Sequence, residues 1–120
     1  MNKSILKEKS YSFALRIVKL YKFLSETNRE FVLSKQILRS GTSIGALIRE
    51  AEFAQSKPDF INKMSIALKE ANETLYWINI FKDSGFIKKK MFDSISNDCD
   101  ELIRLLVATI KTSKTNLIKK

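Results

Sequence analysis

Between Ser34 and Trp77, apolar and small residues recur every three or four positions, with one short break at Ser56-Lys57-Pro58-Asp59. That period is helical, so the stretch reads as two long amphipathic helices. The first is lined with small residues. The second is apolar around much of its circumference. Turn material is scarce, with three Gly and one Pro in 120 residues. An all-β chain needs a turn signal every 8–12 residues or so, which this chain cannot supply. The expected fold is all-α.

The same period extends over the rest of the chain. Helix 1 is expected over about residues 5–25, on the stripe Phe13, Ile17, Leu20, Leu24, widened by Ala14, Val18 and Tyr21. Helix 2 is expected over about 34–55, on Ile37, Ser40, Ile44, Leu47 and Ala51, with Ser34 as N-cap. Gly41 and Gly45 lie four apart on one face of it. Each costs roughly 1 kcal/mol relative to Ala inside a helix. Their placement predicts a close approach by another helix, with a kink at Gly41 as the alternative. Ser56, Pro58 and Asp59 have the cap, first-turn proline and dipole-facing acid of a helix start. Helix 3 is expected over about 58–83, ended by Ser84-Gly85. One stripe of it is Ile61, Met64, Leu68, Ala71, Leu75, Ile78, and a second is Phe60, Ala67, Thr74, Phe81. Tyr76, Trp77 and Ile80 close the circle. A helix apolar all round is normally covered all round, so another subunit is expected over part of it. Helix 4 is expected over about 88–111, on Phe92, Ile95, Cys99, Leu102 and Leu106, with a fraying basic tail over 112–120. Four such helices with short connections predict a single antiparallel up-down-up-down four-helix bundle spanning residues 1–120.

Catalytic residue types are few. The chain has no His, which removes the common general base and the Glu-x-x-His pairs of di-iron bundles. Cys99, the lone cysteine, has no second Cys or His for a zinc site. Its place between Ile95 and Leu102 predicts a buried inert thiol, not a nucleophile. No glycine loop suits a phosphate, and no metal, cofactor or catalytic residue is expected. Glu70 and Glu73 share a direction on helix 3. Arg39, Arg49 and Lys63 are within reach across the helices, and an ion pair with an Arg of helix 2 is expected, within the bundle or between subunits. No apolar run approaches 18 residues, and the basic N-terminus lacks an apolar signal core. With one cysteine, these features point to a cytoplasmic protein without a membrane partner.

Lys and Arg number 22 against 13 Asp and Glu, for a net charge of +9. Such a balance suits a polyanionic partner, although a Lys-rich solvated surface gives the same number. Three clusters carry the basic residues. The N-terminal region holds Lys3, Lys7, Lys9, Arg16, Lys19 and Lys22. Lys88-Lys89-Lys90 opens helix 4, against the local dipole. Lys111, Lys114, Lys119 and Lys120 close the chain. Because both chain ends of such a bundle lie at one pole, the first and third clusters are expected to merge. The triplet is expected at the other pole. Tyr11 and Phe13 offer rings for base stacking, with core packing the competing role of Phe13.

The residues Gln36, Leu38-Arg39-Ser40, Ser43-Ile44, Asp59-Phe60, Ile66-Ala67-Leu68, Glu70-Ala71, Glu73-Thr74 and Trp77, with Phe13-Ala14 and Ile17-Val18, resemble the four-helix-bundle family of the 23S rRNA intervening-sequence type. The likeness covers about residues 10–110. Leu47 and Glu50-Ala51 stand where many members have Asn and Glu-Gly, which implies a longer helix 2. The resemblance implies a small antiparallel bundle that assembles as a ring, often a homopentamer. It also implies kinship with an accessory protein of diversity-generating retroelements that associates with reverse transcriptase and nucleic acid. The leading expectation is a non-enzymatic oligomeric bundle that binds nucleic acid, or a nucleic-acid enzyme, through Lys-rich surfaces. Subunit contacts are expected around Tyr76, Trp77 and Ile80. A purely structural or protein-interaction bundle is the second reading. An enzyme using Glu70, Glu73 and Arg39 between subunits is the third.

Overall fold

The computed structural model describes residues 3–118, and side chains from Ile5 to Ile118. Four helices carry it: α1 (Lys3–Lys22), α2 (Leu33–Glu52), α3 (Lys57–Asp83) and α4 (Lys89–Ile118). Contacts between the helices fix the topology. Lys7 pairs with Glu52 and Ile17 packs at Gly41, so α1 and α2 run opposite ways. Lys63 pairs with Glu50 and Arg39 with Glu70, which reverses α3 against α2. Cys99 Sγ donates to the Ala71 carbonyl at 3.3 Å, and Lys82 covers the Phe92 ring, which reverses α4 against α3. The molecule is an antiparallel up-down-up-down bundle, 52 × 22 × 19 Å. Among the described residues there is no strand, and no helix is long and apolar enough to cross a membrane.

The stripes find each other as their spacing predicts. Phe13, Ile17, Leu20 and Leu24 meet Ile37, Ile44 and Ala51 in the core. Met64, Ala71 and Ile78 join Phe60, Ala67, Thr74 and Phe81, while Ile61, Leu68 and Leu75 flank them half-buried. Tyr76 is 58% exposed and Ile66 36%, so the outward face of α3 is open in the single chain. At Gly41 a Cβ would lie 2.7 Å from Ile17 Cγ1, and Ile17 is fully buried. The glycine therefore serves close approach, not a kink. Gly45 faces Ser10, where a Cβ would meet Oγ at 3.4 Å.

Helix ends explain the departures from expectation. Helix 1 does not stop at 25 but widens into a π-helical turn over Phe23–Thr27, with Asn28 N–H donating to Phe23 O at 3.2 Å. Arg29 then takes a positive φ of 57° and the Glu30 N–H reaches back to Leu24 O, a reversal that glycine usually makes. Ser34 is not the cap of α2. The Glu30 carboxylate accepts from the N–H groups of Val32, Leu33 and Ser34, and Ser34 is buried with its hydroxyl donating to Glu30 O. α2 ends at Glu52, not 55. The N–H groups of Phe53 and Ala54 turn back to Glu50 O and Ala51 O, three-residue bonds that tighten a last turn. Ser56 caps α3 by accepting from Asp59 N–H at 3.2 Å, and Asp59 in turn accepts from Gln55 N–H. Gly85 has φ 84° after α3, and Phe86 N–H reaches Phe81 O. The tail does not fray at 112. α4 continues to Ile118, and Thr112, Ser113 and Asn116 wall a cavity of about 440 Å³ with Ala54 and Phe60.

Two outcomes follow. Gly41→Ala is expected to lose about 1–2 kcal/mol in urea unfolding, because overpacking against Ile17 outweighs the helix-propensity gain. Gly45→Ala is expected to be neutral or stabilising by up to ~1 kcal/mol. Equal losses would refute the assignment of close approach to Gly41. Glu30→Ala is expected to cost about 1 kcal/mol at neutral pH through loss of the α2 cap. Burial acts to raise the Glu30 pKa, but the backbone N–H bonds outweigh it and hold the carboxyl below its ordinary value. A lowered folded pKa means the cap is fully effective above the unfolded pKa and is lost as pH falls through the folded one. The stability gap between parent and Glu30→Ala should therefore close in acid, as read by unfolding between neutral pH and pH ~3.

Candidate nucleic-acid interface

Helical rise sorts the basic residues by position along the bundle axis. Lys7 and Lys9 lie near the start of α1 and both are ion-paired, with Glu52 at 3.1 Å and Glu101 at 3.2 Å. These acids belong to α2 and α4, so the two lysines are drawn to opposite flanks of α1. Lys111 and Lys114 sit over the α3–α4 seam, where they edge a shallow cleft with Leu68, Val107 and Ile110. Lys7 and Lys9 are thus engaged by carboxylates, whereas Lys111 and Lys114 make no ion pair among the described residues. The side chains of Lys3, Lys119 and Lys120 lie outside the described residues.

The opposite pole holds a second set of lysines. Lys19 and Lys22, counted by sequence with the N-terminal cluster, are at the far end of α1, about 25 Å along the axis from its start. There they join Lys88, Lys89 and Lys90 at the start of α4. Lys89 pairs with Asp93 at 2.7 Å. Lys19, Lys22, Lys88 and Lys90 are exposed and make no ion pair among the described residues. Arg16, one turn before Lys19, donates to Asp98 at 2.6 Å and to Ser94 Oγ at 2.9 Å, bridging α1 to α4.

Between these elements lies a groove of about 780 Å³. Phe23, Phe86, Ile87 and Met91 line it, with Arg16, Lys88 and Lys90 at its rim and Asn28 and Ser94 as uncharged polar groups. A smaller cavity, about 210 Å³, continues along the α1–α4 seam beneath Lys19 and shares Arg16, Phe23 and Met91. Sequence reading missed Phe23, Phe86 and Met91. The available signal was the spacing of Arg16, Lys19 and Phe23 on α1, which places all three along one strip facing α4. Tyr11 is not at this site. It lies 5.8 Å beneath the Arg49 guanidinium on the α1–α2 side, and Phe13 is buried.

The other polar assembly joins α2 to α3. Arg39 donates to Glu70 at 3.0 Å and to Glu73. Ser43 Oγ lies 3.2 Å from Glu70, and Trp77 Nε1 donates to Glu73 at 3.0 Å. Thr74 Oγ1 lies 2.9 Å from Ser40 Oγ and donates to Glu70 O. The Trp77 bond, with Arg39 behind it, holds the Glu73 carboxyl below its ordinary range, and the bonds to Glu73 and Glu70 raise Arg39. Tyr76 stacks edge-on against Trp77 at 5.1 Å, and Ile80 is half-buried one turn on. Cys99 is fully buried, and burial together with Asp100 and Asp98 pushes its thiol up to about 12. Such a thiol is protonated and unreactive at neutral pH. Among the described residues no group of three or more His, Cys, Asp or Glu is placed to hold a metal ion.

The model of the 23S rRNA-intervening sequence protein family matches residues 2–108. This chain belongs to that family. A crystal structure from Bacteroides thetaiotaomicron, described as a protein with unknown function from the S23 ribosomal protein family, is similar at 58% identity and TM-score 0.91. The likeness covers 92% of this chain and 99% of that one. A comparison with curated proteins finds no match. In this member of the intervening-sequence family, the α1–α4 groove lies wholly within the matched residues, while Lys111 and Lys114 lie beyond them.

The α2–α3 network carries its own expectation. The Glu70 side chain is 12% exposed, so Arg39→Ala would leave a carboxylate largely desolvated. The Arg39 side chain is half in water, which screens the pair. A loss of about 1–3 kcal/mol is expected for Arg39→Ala, and less for Arg39→Ala with Glu70→Gln than the two single losses added. A denaturant series on the four proteins checks it. A loss below about 0.5 kcal/mol for Arg39→Ala would reduce the network to a solvated surface pair.

Proposed function

We propose that this chain is an oligomeric helical bundle that binds nucleic acid, or an enzyme acting on nucleic acid, through Lys-rich surfaces. The observation that carries the reading is the set Lys19, Lys22, Lys88 and Lys90, which make no ion pair among the described residues and gather at one pole, where Lys19, Lys88 and Lys90 line the α1–α4 groove and its continuation. Surface lysines free of carboxylates keep their charge for phosphates, and the release of counterions drives the contact. The family's description, which places its members with 23S rRNA intervening sequences, fits a nucleic-acid setting. Resemblance supplies the ring of subunits, and the half-exposed Tyr76 beside Trp77 and Ile80 supplies a face to cover. Reverse transcriptase is the enzyme partner that the resemblance favours. The absence of His and the inert Cys99 leave the chain no evident nucleophile–base pair, in keeping with a role without catalysis.

A second reading is a protein-interaction bundle. It is favoured by Phe31 and Val32, apolar residues 48% and 72% exposed in the connection between α1 and α2.

Light scattering and a salt series separate the two. A particle several times the 13.8 kDa chain mass is expected, with RNA or DNA affinity falling on the order of 100-fold between 50 and 200 mM salt if about four phosphates are neutralised. A monomer whose weak RNA and DNA signals ignore salt would overturn the reading.

A further inference from the structure

We infer that the groove between the end of α1 and the start of α4 holds a single-stranded segment of nucleic acid, with phosphates on Lys19, Lys88 and Lys90 and one base against Phe23 and Met91. This deepens the nucleic-acid reading and rests on it.

Three features of the groove select that occupant. The first is its section. A charged surface that only neutralises phosphates needs no cavity, whereas this one is concave and about 780 Å³, within the roughly 300–1,000 Å³ of sites that enclose a small molecule. One unstacked nucleotide fits such a space. A duplex keeps its bases stacked inside and offers the groove only its phosphates.

The second feature is the division of chemistry inside it. Phe23, Phe86 and Met91 form an apolar floor, and the cations stand at the edge. Nucleotides divide the same way, with flat bases on one side and charged phosphates on the other. Acidic peptides would pair with the lysines but bring no flat apolar group for the floor. Base stacking on an aromatic ring tolerates any base, since every base has a π-face.

The third feature is a polar group fixed beside that floor. Asn28 Nδ2 donates to Phe86 O at 3.0 Å, which orients the amide. Its Oδ1 and second N–H have no protein partner among the described residues, so both are available to a base edge. Arg16 is held by Asp98 and Ser94, which keeps a cation at the rim in a defined place.

Fluorescence anisotropy on the full chain tests the assignment. The probes are a labelled oligo-U of about 12 nucleotides, a duplex of the same length, and poly-glutamate as competitor. Phe23→Leu keeps an apolar side chain but removes the π-face. It is expected to weaken oligo-U binding about tenfold and duplex binding less than twofold. The double change Lys88→Glu, Lys90→Glu is expected to weaken both probes and flatten the salt dependence. The matching double change Lys111→Glu, Lys114→Glu is expected to leave oligo-U binding within twofold. Met91→Glu, at a residue 37% exposed, places a carboxylate in the apolar lining and is expected to lower oligo-U affinity even if Phe23→Leu fails to fold, as circular dichroism would reveal.

Unchanged oligo-U binding by folded Phe23→Leu and by Met91→Glu overturns the groove assignment, and the wider reading survives if Lys88→Glu, Lys90→Glu still weakens binding. Competition by poly-glutamate equal to that of unlabelled oligo-U also overturns it, leaving general affinity for acidic polymers. No binding of either nucleic acid by the parent protein removes the functional reading itself.

Discussion

The close seating of α1 on α2 sets what the remaining helices can do. Ile17 occupies the space a side chain at position 41 would need, and Ser10 faces Gly45 one turn along. Backbones brought this near bury Ile17, Ile37 and Ile44 completely. α3 lies in turn on α2 and α4 on α3. The fourth seam, between α4 and α1, has to close the circle. It does so loosely. Ion pairs Lys9–Glu101 and Arg16–Asp98 bridge it, and three cavities follow its length. Surface pairs of this kind contribute roughly 0–1 kcal/mol each, much less than continuous apolar burial. A tight seam on one side of the bundle thus accompanies an open one on the other, and the groove belongs to the open one.

Much of the fold could be read from spacing, because a stripe at three and four residues specifies both a helix and the face it buries. Phe13 to Leu24 and Ile95 to Leu106 needed nothing more. Helix ends were harder, because capping is decided by geometry one or two residues outside the helix. Ser34 is a good capping residue, yet Glu30 reaches three N–H groups first, and Arg29 makes the reversal without glycine. The tail 112–118 reads as polar, yet its Thr and Asn side chains wall a cavity against α3. A polar composition alone does not show that a helix will stop.

The candidate site was half legible for a related reason. Basic residues were grouped by closeness in sequence, but each helical residue advances 1.5 Å, and twenty of them travel about 30 Å along a bundle 52 Å long. Lys19 and Lys22 therefore belong with Lys88 and Lys90, although nearly 70 residues separate them. Phe23 was passed over because it lies outside the buried stripe from Phe13 to Leu24, although its spacing from Arg16 and Lys19 puts it on the strip that faces α4. Cys99 and the Arg39–Glu70–Glu73 set were readable, since a stripe position fixes the first and facing helices fix the second.

Lys88, Lys89 and Lys90 stand where the α4 dipole is positive, and each cation there costs roughly 0.3–1 kcal/mol. Lys89 relieves part of this through Asp93. Lys88 and Lys90 have no such relief among the described residues. Lysines and dipole instead add, so that the mouth of the groove has a positive potential from both. An anion placed there removes two unfavourable terms at once, the repulsion among the lysines and the repulsion between them and the helix end. Binding energy of this origin is present only while the anion is bound. It stabilises the occupied bundle relative to the empty one by mass action, so occupancy and folding stability are linked at this pole. Lys7 and Lys9 have no equivalent leverage. Their carboxylates already satisfy them, and an incoming phosphate would have to displace Glu52 or Glu101 to gain the same contact.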